Sequence, residues 1–72
     1  MPRFVRNRRS NDSQRQAVDR VLVGVTGVAT VRRADDGSVF IYDEHREWLP
    51  PTTLRTRITP TGHVEPADRL RL

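Results

Sequence analysis

Cysteine and lysine are both absent from this 72-residue chain, and its aromatic residues are Phe4, Phe40, Tyr42 and Trp48 alone. Without cysteine there is no disulfide and no thiolate metal site. His45 and His63 are the only imidazoles, and they flank Pro50 and Pro51 without ligand-like spacing, so no metal centre is expected. No apolar run approaches the ~20 residues of a membrane span. The basic start is followed by no apolar stretch of ~7–15 residues, so no secretory signal is read. The expected location is the cytoplasm, or a particle assembled there. GxSxG, P-loop and HExxH patterns are missing as well. Asp35 and Asp36 are accounted for by a turn. Asp43, Glu44 and His45 lack the second partner and the pocket that acid–base work needs. The expectation is a non-catalytic protein without a cofactor.

The lack of lysine makes all thirteen basic residues arginine. So complete a bias reflects coding composition more than any one site, although guanidinium forks do bind phosphates bidentately and stack on bases. A chain of this length makes one small domain that buries about 60% of its unfolded surface. With disulfides and metals excluded, a partner or a homo-oligomer is the remaining source of added stability.

What the chain does have is an uneven charge distribution. Residues 1–11 hold Arg3, Arg6, Arg8 and Arg9 and no acid. Of thirteen basic residues, nine (13 − 4) fall in residues 12–72, where all nine acids also lie. The net +4 therefore sits on the N-terminal segment of an otherwise neutral chain. Such a segment suits a polyanion, because each neutralised phosphate releases a condensed counterion.

Residues 1–12 show no sustained periodicity and read as a flexible arginine-rich arm. Residues 13–72 read as one β-rich domain. Ser13 and Gln16 fit a capping box, and Ala17, Val18, Val21 and Leu22 follow at helical spacing, predicting a helix of two to three turns from Ser13 to about Arg20. From Val21 a period-two pattern runs to Val31, with Gly24 and Gly27 marking a bulge or bend. Residues 34–38 read as a hairpin loop with Gly37 in the left-handed position. That loop pairs Arg33 with Val39, Arg32 with Phe40, Val31 with Ile41 and Thr30 with Tyr42. Residues 43–47 read as a polar turn, Trp48 and Leu49 as a short return, and Pro50 and Pro51 as a 3₁₀ turn. Leu54, Thr56 and Ile58 alternate with Arg55 and Arg57. Pro60 and Gly62 shape a second loop, pairing Thr59 with His63, Ile58 with Val64 and Arg57 with Glu65. Residues 68–72 alternate again, with Leu70 and Leu72 inward. The expected class is mainly β (α+β): a small antiparallel sheet or SH3-like partly open barrel of about five strands, with one short N-terminal helix.

The stretch from Gly27 to Arg55 resembles the plan of SH3-like small barrels, the group that includes Tudor domains. The residues that carry the resemblance are Ala29 to Val31, Asp36 and Gly37, Val39 to Asp43, Glu47 to Pro50, and Leu54 with Arg55. The resemblance implies a fold and no function. The aromatics are too few for the ligand cages of those domains.

Three groups of residues carry functional readings. Arg3, Arg6, Arg8 and Arg9 suit phosphates. Arg32, Phe40 and Tyr42 form a basic-aromatic face, on which an exposed Tyr42 would stack bases, while Phe40 is expected in the core. Arg55, Arg57, Arg69 and Arg71 make one cluster if their strands are neighbours, or else a solvated face of ordinary ion pairs. Two functions follow. One is a small nucleic-acid-binding accessory or regulatory protein, on DNA or RNA, whose arm contacts phosphates while the β body positions it. The alternative is a structural or interaction subunit of a viral particle, a ribonucleoprotein or a polymerase assembly. Its arm would order on an acidic protein surface, and Phe4, Trp48, Leu70 and Leu72 would supply the apolar contacts. Trp48 is expected in the core unless a partner covers it.

Overall fold

The computed structural model describes the backbone of residues 2–71 and the side chains of residues 12–71. A helix, α1 (Pro2–Val23), precedes strands β1 (Val28–Arg33), β2 (Val39–His45), β3 (Thr52–Ile58) and β4 (Asp68–Arg71). The strands form an antiparallel meander in the order β1-β2-β3-β4. The sheet is open. It has four strands among the described residues, so of the two expected architectures the small antiparallel sheet forms, and the partly open barrel of about five strands does not.

The helix starts well before the expected Ser13 boundary. Proline is pre-organised for the first helical position, and between Pro2 and Val23 there is no glycine and no further proline. Arginine is a good helix former, so the backbone of the stretch expected as an irregular arm is helical. Ser13 lies inside the helix rather than at its cap. At the other end, Val21 and Leu22 join the helix because they complete its apolar stripe. Gln14, Ala17, Val18, Val21 and Leu22 recur at the spacing of one helical face. Ala17 is buried with Val39, Ile41 and Ile58, and Val18, Val21, Leu22 and Val25 pack against that cluster. The helix closes at Gly24, whose N–H donates to the Val21 carbonyl at 3.0 Å. The expected strand therefore begins only at Val28.

Both hairpin registers match the sequence arithmetic. Arg33 pairs with Val39, Arg32 with Phe40, Val31 with Ile41 and Thr30 with Tyr42. Gly37 and Gly62 hold positive φ angles of 89° and 93°, as the two loops require. Ile58 bridges to Val64, and the Glu65 N–H donates to the Arg57 carbonyl at 2.8 Å. Residues 46–51 are irregular and contain no 3₁₀ turn or return strand. Thr52 Oγ1 donates to the Pro50 carbonyl at 2.8 Å, closing this connection locally.

Two polar contacts pin the helix and the sheet. The Gln14 side chain is buried. Its Nε2 donates to the Gly37 carbonyl at 2.7 Å and to the Thr59 carbonyl at 3.3 Å, one in each hairpin loop. At the opposite end, Asp43 Oδ1 accepts from the Gly27 N–H at 3.1 Å. A methyl group at Gly27 would lie 2.2 Å from the Glu44 carbonyl oxygen, whereas one at Gly24 would lie 3.6 Å from the nearest atom, the Val21 carbonyl oxygen.

Gln14→Ala removes the side-chain donor of the Gly37 carbonyl and the second donor of the Thr59 carbonyl, which keeps the Gly62 N–H at 2.9 Å, and should destabilise the fold by ~0.5–1.5 kcal/mol. Equilibrium urea unfolding of the two proteins checks this; unchanged stability would refute it. Gly27→Ala should cost about 1–3 kcal/mol through overpacking. Gly24→Ala should be neutral or stabilising by about 0.4–1 kcal/mol, so thermal denaturation of the pair should rank them in that order.

Candidate nucleic-acid interface

Side chains alternate across a sheet, and the register assigns each to a face. The helix-side face carries Val31, Ile41 and Thr56 in one row and Arg33, Val39 and Ile58 in the next. The opposite face carries the row Arg32, Phe40 and Arg57, and beside it the row Thr30, Tyr42, Arg55 and Asp68. Among the described residues no element packs over this second face. It is the basic-aromatic face expected from the first hairpin, extended by β3.

Phe40 is on this open face and half-buried, which corrects its expected place in the core. Ala17 and the aliphatic stripe of the helix fill the core without it. The rings of Phe40 and Tyr42 are 6.4 Å apart and tilted by 35°. Arg55 Cζ sits 5.8 Å from the Phe40 ring centroid, within the range of a cation–π contact.

The strand arginines divide. β3 and β4 are neighbours, but their register pairs Leu54 with Arg69 and Thr52 with Arg71. Arg69 and Arg71 therefore lie on the helix-side face, away from Arg55 and Arg57, and the single arginine cluster does not form. Leu70, opposite Thr53, is on the open face; it is not directed inward at the helix-covered core. Arg55 Nη2 meets Asp68 Oδ2 at 2.8 Å, and Arg57 meets Glu65 at 3.0 Å and Asp36 at 3.1 Å. The Asp68 hydrogen bond raises the Arg55 pKa above its ordinary value, and Glu65, then Asp36, do the same for Arg57. Arg32, Arg69 and Arg71 have no ion pair among the described residues. The side chains of Arg3, Phe4, Arg6, Arg8, Arg9 and Leu72 lie outside the described residues.

The expected polar turn at residues 43–47 is partly strand. Counting by two from Val39 through Ile41 and Asp43 leads to His45, which is 2% exposed. His45 Nε2 lies 3.0 Å from Asp43 Oδ2 and Nδ1 lies 3.7 Å from Glu47 Oε1. Trp48 stacks on the imidazole at 3.9 Å with an interplanar angle of 11°. Trp48 is thus a half-exposed cover for His45, 38% accessible, and not a core residue, while Leu49 is 96% exposed. The strand alternation carried this signal, but five consecutive polar residues masked it. Gln14 gave no sequence signal, since a glutamine on a helix is ordinarily solvated.

Asp36 belongs to the first loop and also touches the open face through Arg57. The Ser38 backbone N–H, 2.9 Å from Oδ1, is the main reason its carboxyl lies below the ordinary value of 3.8. A depressed folded-state pKa gives stability that is complete above 3.8 and is lost as pH falls through the folded value. Asp36→Asn should therefore flatten the acid limb of a stability–pH profile, and an unchanged acid limb would refute this role.

No protein-family model, curated protein or solved structure matches the chain, so its function rests on its own residues.

Proposed function

We propose that this is a small non-catalytic nucleic-acid-binding accessory protein, acting in the cytoplasm or in a particle assembled there. The observation that carries the reading is the charge asymmetry: four arginines and no acid in residues 1–11, against nine arginines and nine acids in the rest. The helical backbone through Pro2–Val23 supports it, because a helix spaces its residues at a fixed 1.5 Å rise along a polyanion. Arg3, Arg6, Arg8 and Arg9 supply the phosphate contacts. The open face adds Arg32 and the half-buried Tyr42, with bases stacking at ~1–3 kcal/mol each. Arg55 and Arg57, held by carboxylates, shape that face more than they neutralise phosphates. Arg69 and Arg71 on the other face are independent phosphate contacts.

A second reading, an interaction subunit of a larger assembly, is favoured by the exposure of Leu49 and Val23, at 96% and 87%. On this reading a protein partner would cover them as part of one apolar patch. Trp48 and Leu70 are the other described contacts on that reading.

The test is fluorescence anisotropy of labelled duplex DNA, single-stranded DNA and RNA. The full chain is compared with its Arg3→Gln, Arg6→Gln, Arg8→Gln, Arg9→Gln variant at ~50 and ~200 mM salt. On duplex, four phosphate contacts give an expected log–log salt slope of about −3.6, largely lost in the variant. Absence of binding by the folded chain at low salt would overturn the proposal in favour of a protein partner.

A further inference from the structure

β1 is a sheet edge with β2 on one side only, and all six of its residues are exposed. The Ala34 N–H donates to the Ser38 carbonyl at 2.9 Å, which fixes the hydrogen-bonding phase of the hairpin. In an antiparallel ladder the phase alternates. Thr30 and Arg32 therefore turn their backbone groups toward β2, and Ala29, Val31 and Arg33 turn theirs outward. Three N–H groups and three carbonyls are presented at strand spacing.

The side chains of those same three residues lie on the helix-side face. There β1 and α1 enclose a groove floored by Val18, Val31 and Val39 and flanked by Arg15 and Arg33. Val31 is 46% exposed in it. Neither Arg15 nor Arg33 has an ion-pair partner among the described residues.

We propose that β1 is a strand-addition site for an extended acidic peptide segment of a partner protein. One apolar side chain of that segment lies over Val31 and Val18, and its carboxylates face Arg15 and Arg33. The site is separate from the nucleic-acid reading above and stands without it. Three features select this occupant. Outward N–H and C=O groups at alternating residues are satisfied by another peptide strand, which supplies both donors and acceptors. A phosphodiester offers acceptors for the N–H groups but no donors for the carbonyls, and the single 2′-hydroxyl per nucleotide of RNA does not reproduce the alternating donors and acceptors of a peptide strand. A second copy of β1 would bring Arg32 and Arg33 and no carboxylate, leaving the groove arginines unneutralised. Positive charge at an edge repels strands like itself, and the same charge attracts an acidic one.

The experiment selects binders of the full chain from a displayed library of random twelve-residue peptides. The best binder is then titrated into the isotope-labelled chain, with amide exchange followed by NMR. Enriched peptides should carry carboxylates around an apolar residue, and binding should slow exchange at the Ala29, Val31 and Arg33 amides. The Arg15→Glu, Arg33→Glu double variant should weaken the peptide about tenfold or more. The milder Arg33→Gln, which removes no ion pair of the fold, should weaken it about threefold. The four-arginine variant of residues 1–11 should bind the peptide as well as the parent, which separates this site from the nucleic-acid reading. Failure to enrich any peptide, enrichment without acids, protection at β4 instead of β1, or indifference to both groove variants would each overturn the proposal. So would β1 amides already protected in the free chain in a concentration-dependent way, since a second copy would then occupy the edge.

Discussion

The Gln14 amide holds this molecule's arrangement together. It is one side chain, reaching from the helix into both hairpin loops, to the carbonyls of Gly37 and Thr59. The apolar core beneath it is small, with Ala17, Val39, Ile41 and Ile58 buried. Apolar burial is non-directional; a stripe of valines on a four-residue core does not by itself fix how far the helix slides along the sheet. A buried donor shared by two fixed acceptors does, because any slide takes the Gln14 amide away from both carbonyls.

With the helix fixed on one face, the other face is left open, and the two faces have different chemistry. The helix side is aliphatic at its centre, with arginines at its margins that have no ion pair among the described residues. The open side is aromatic, and its arginines from β3 are tied to carboxylates on the β1–β2 loop, on β4 and on the segment before it. Arg57 takes one carboxylate from each flank, Asp36 and Glu65. The guanidinium therefore bridges the first loop to the segment after the second, and it is a structural element before it is a ligand contact.

Much of this was legible in the sequence where turn chemistry dictates register. Gly37 and Gly62 each require a left-handed conformation, and counting outward from them placed Arg32 opposite Phe40 and Ile58 opposite Val64. Reading failed where two periods compete. Val21 to Val31 satisfies both a helical stripe and strand alternation, and the tertiary contacts of Val21 and Leu22 decided for helix. The relative offset of β3 and β4 was also hidden. The connection from Val64 to Ala67 contains Pro66 and obeys no simple turn rule, and a one-residue offset there moved Arg69 and Arg71 to the other face. The resemblance to small barrels captured the first hairpin, but the C-terminal half of a 22-residue helix packs on one face of the sheet through Gln14, Ala17, Val18, Val21 and Leu22, and the sheet remains open. Gln14 and His45 were illegible for a common reason: each is polar and buried, and only the folded neighbours supply its partners.

The two hairpin tips are also in contact with each other. A methyl at Gly37 would meet Pro60 Cγ at 3.3 Å, and one at Gly62 would meet the Ser13 carbonyl at 2.8 Å. Both loops and one turn of the helix thus share a single crowded corner, where a side chain in place of either glycine would press on its neighbour. The irregular connection at residues 46–51 is under no such restriction at its exposed Leu49. The molecule therefore has one end where the identity of two loop residues is tightly restricted and one end, at Leu49, where the side chain is free of its neighbours.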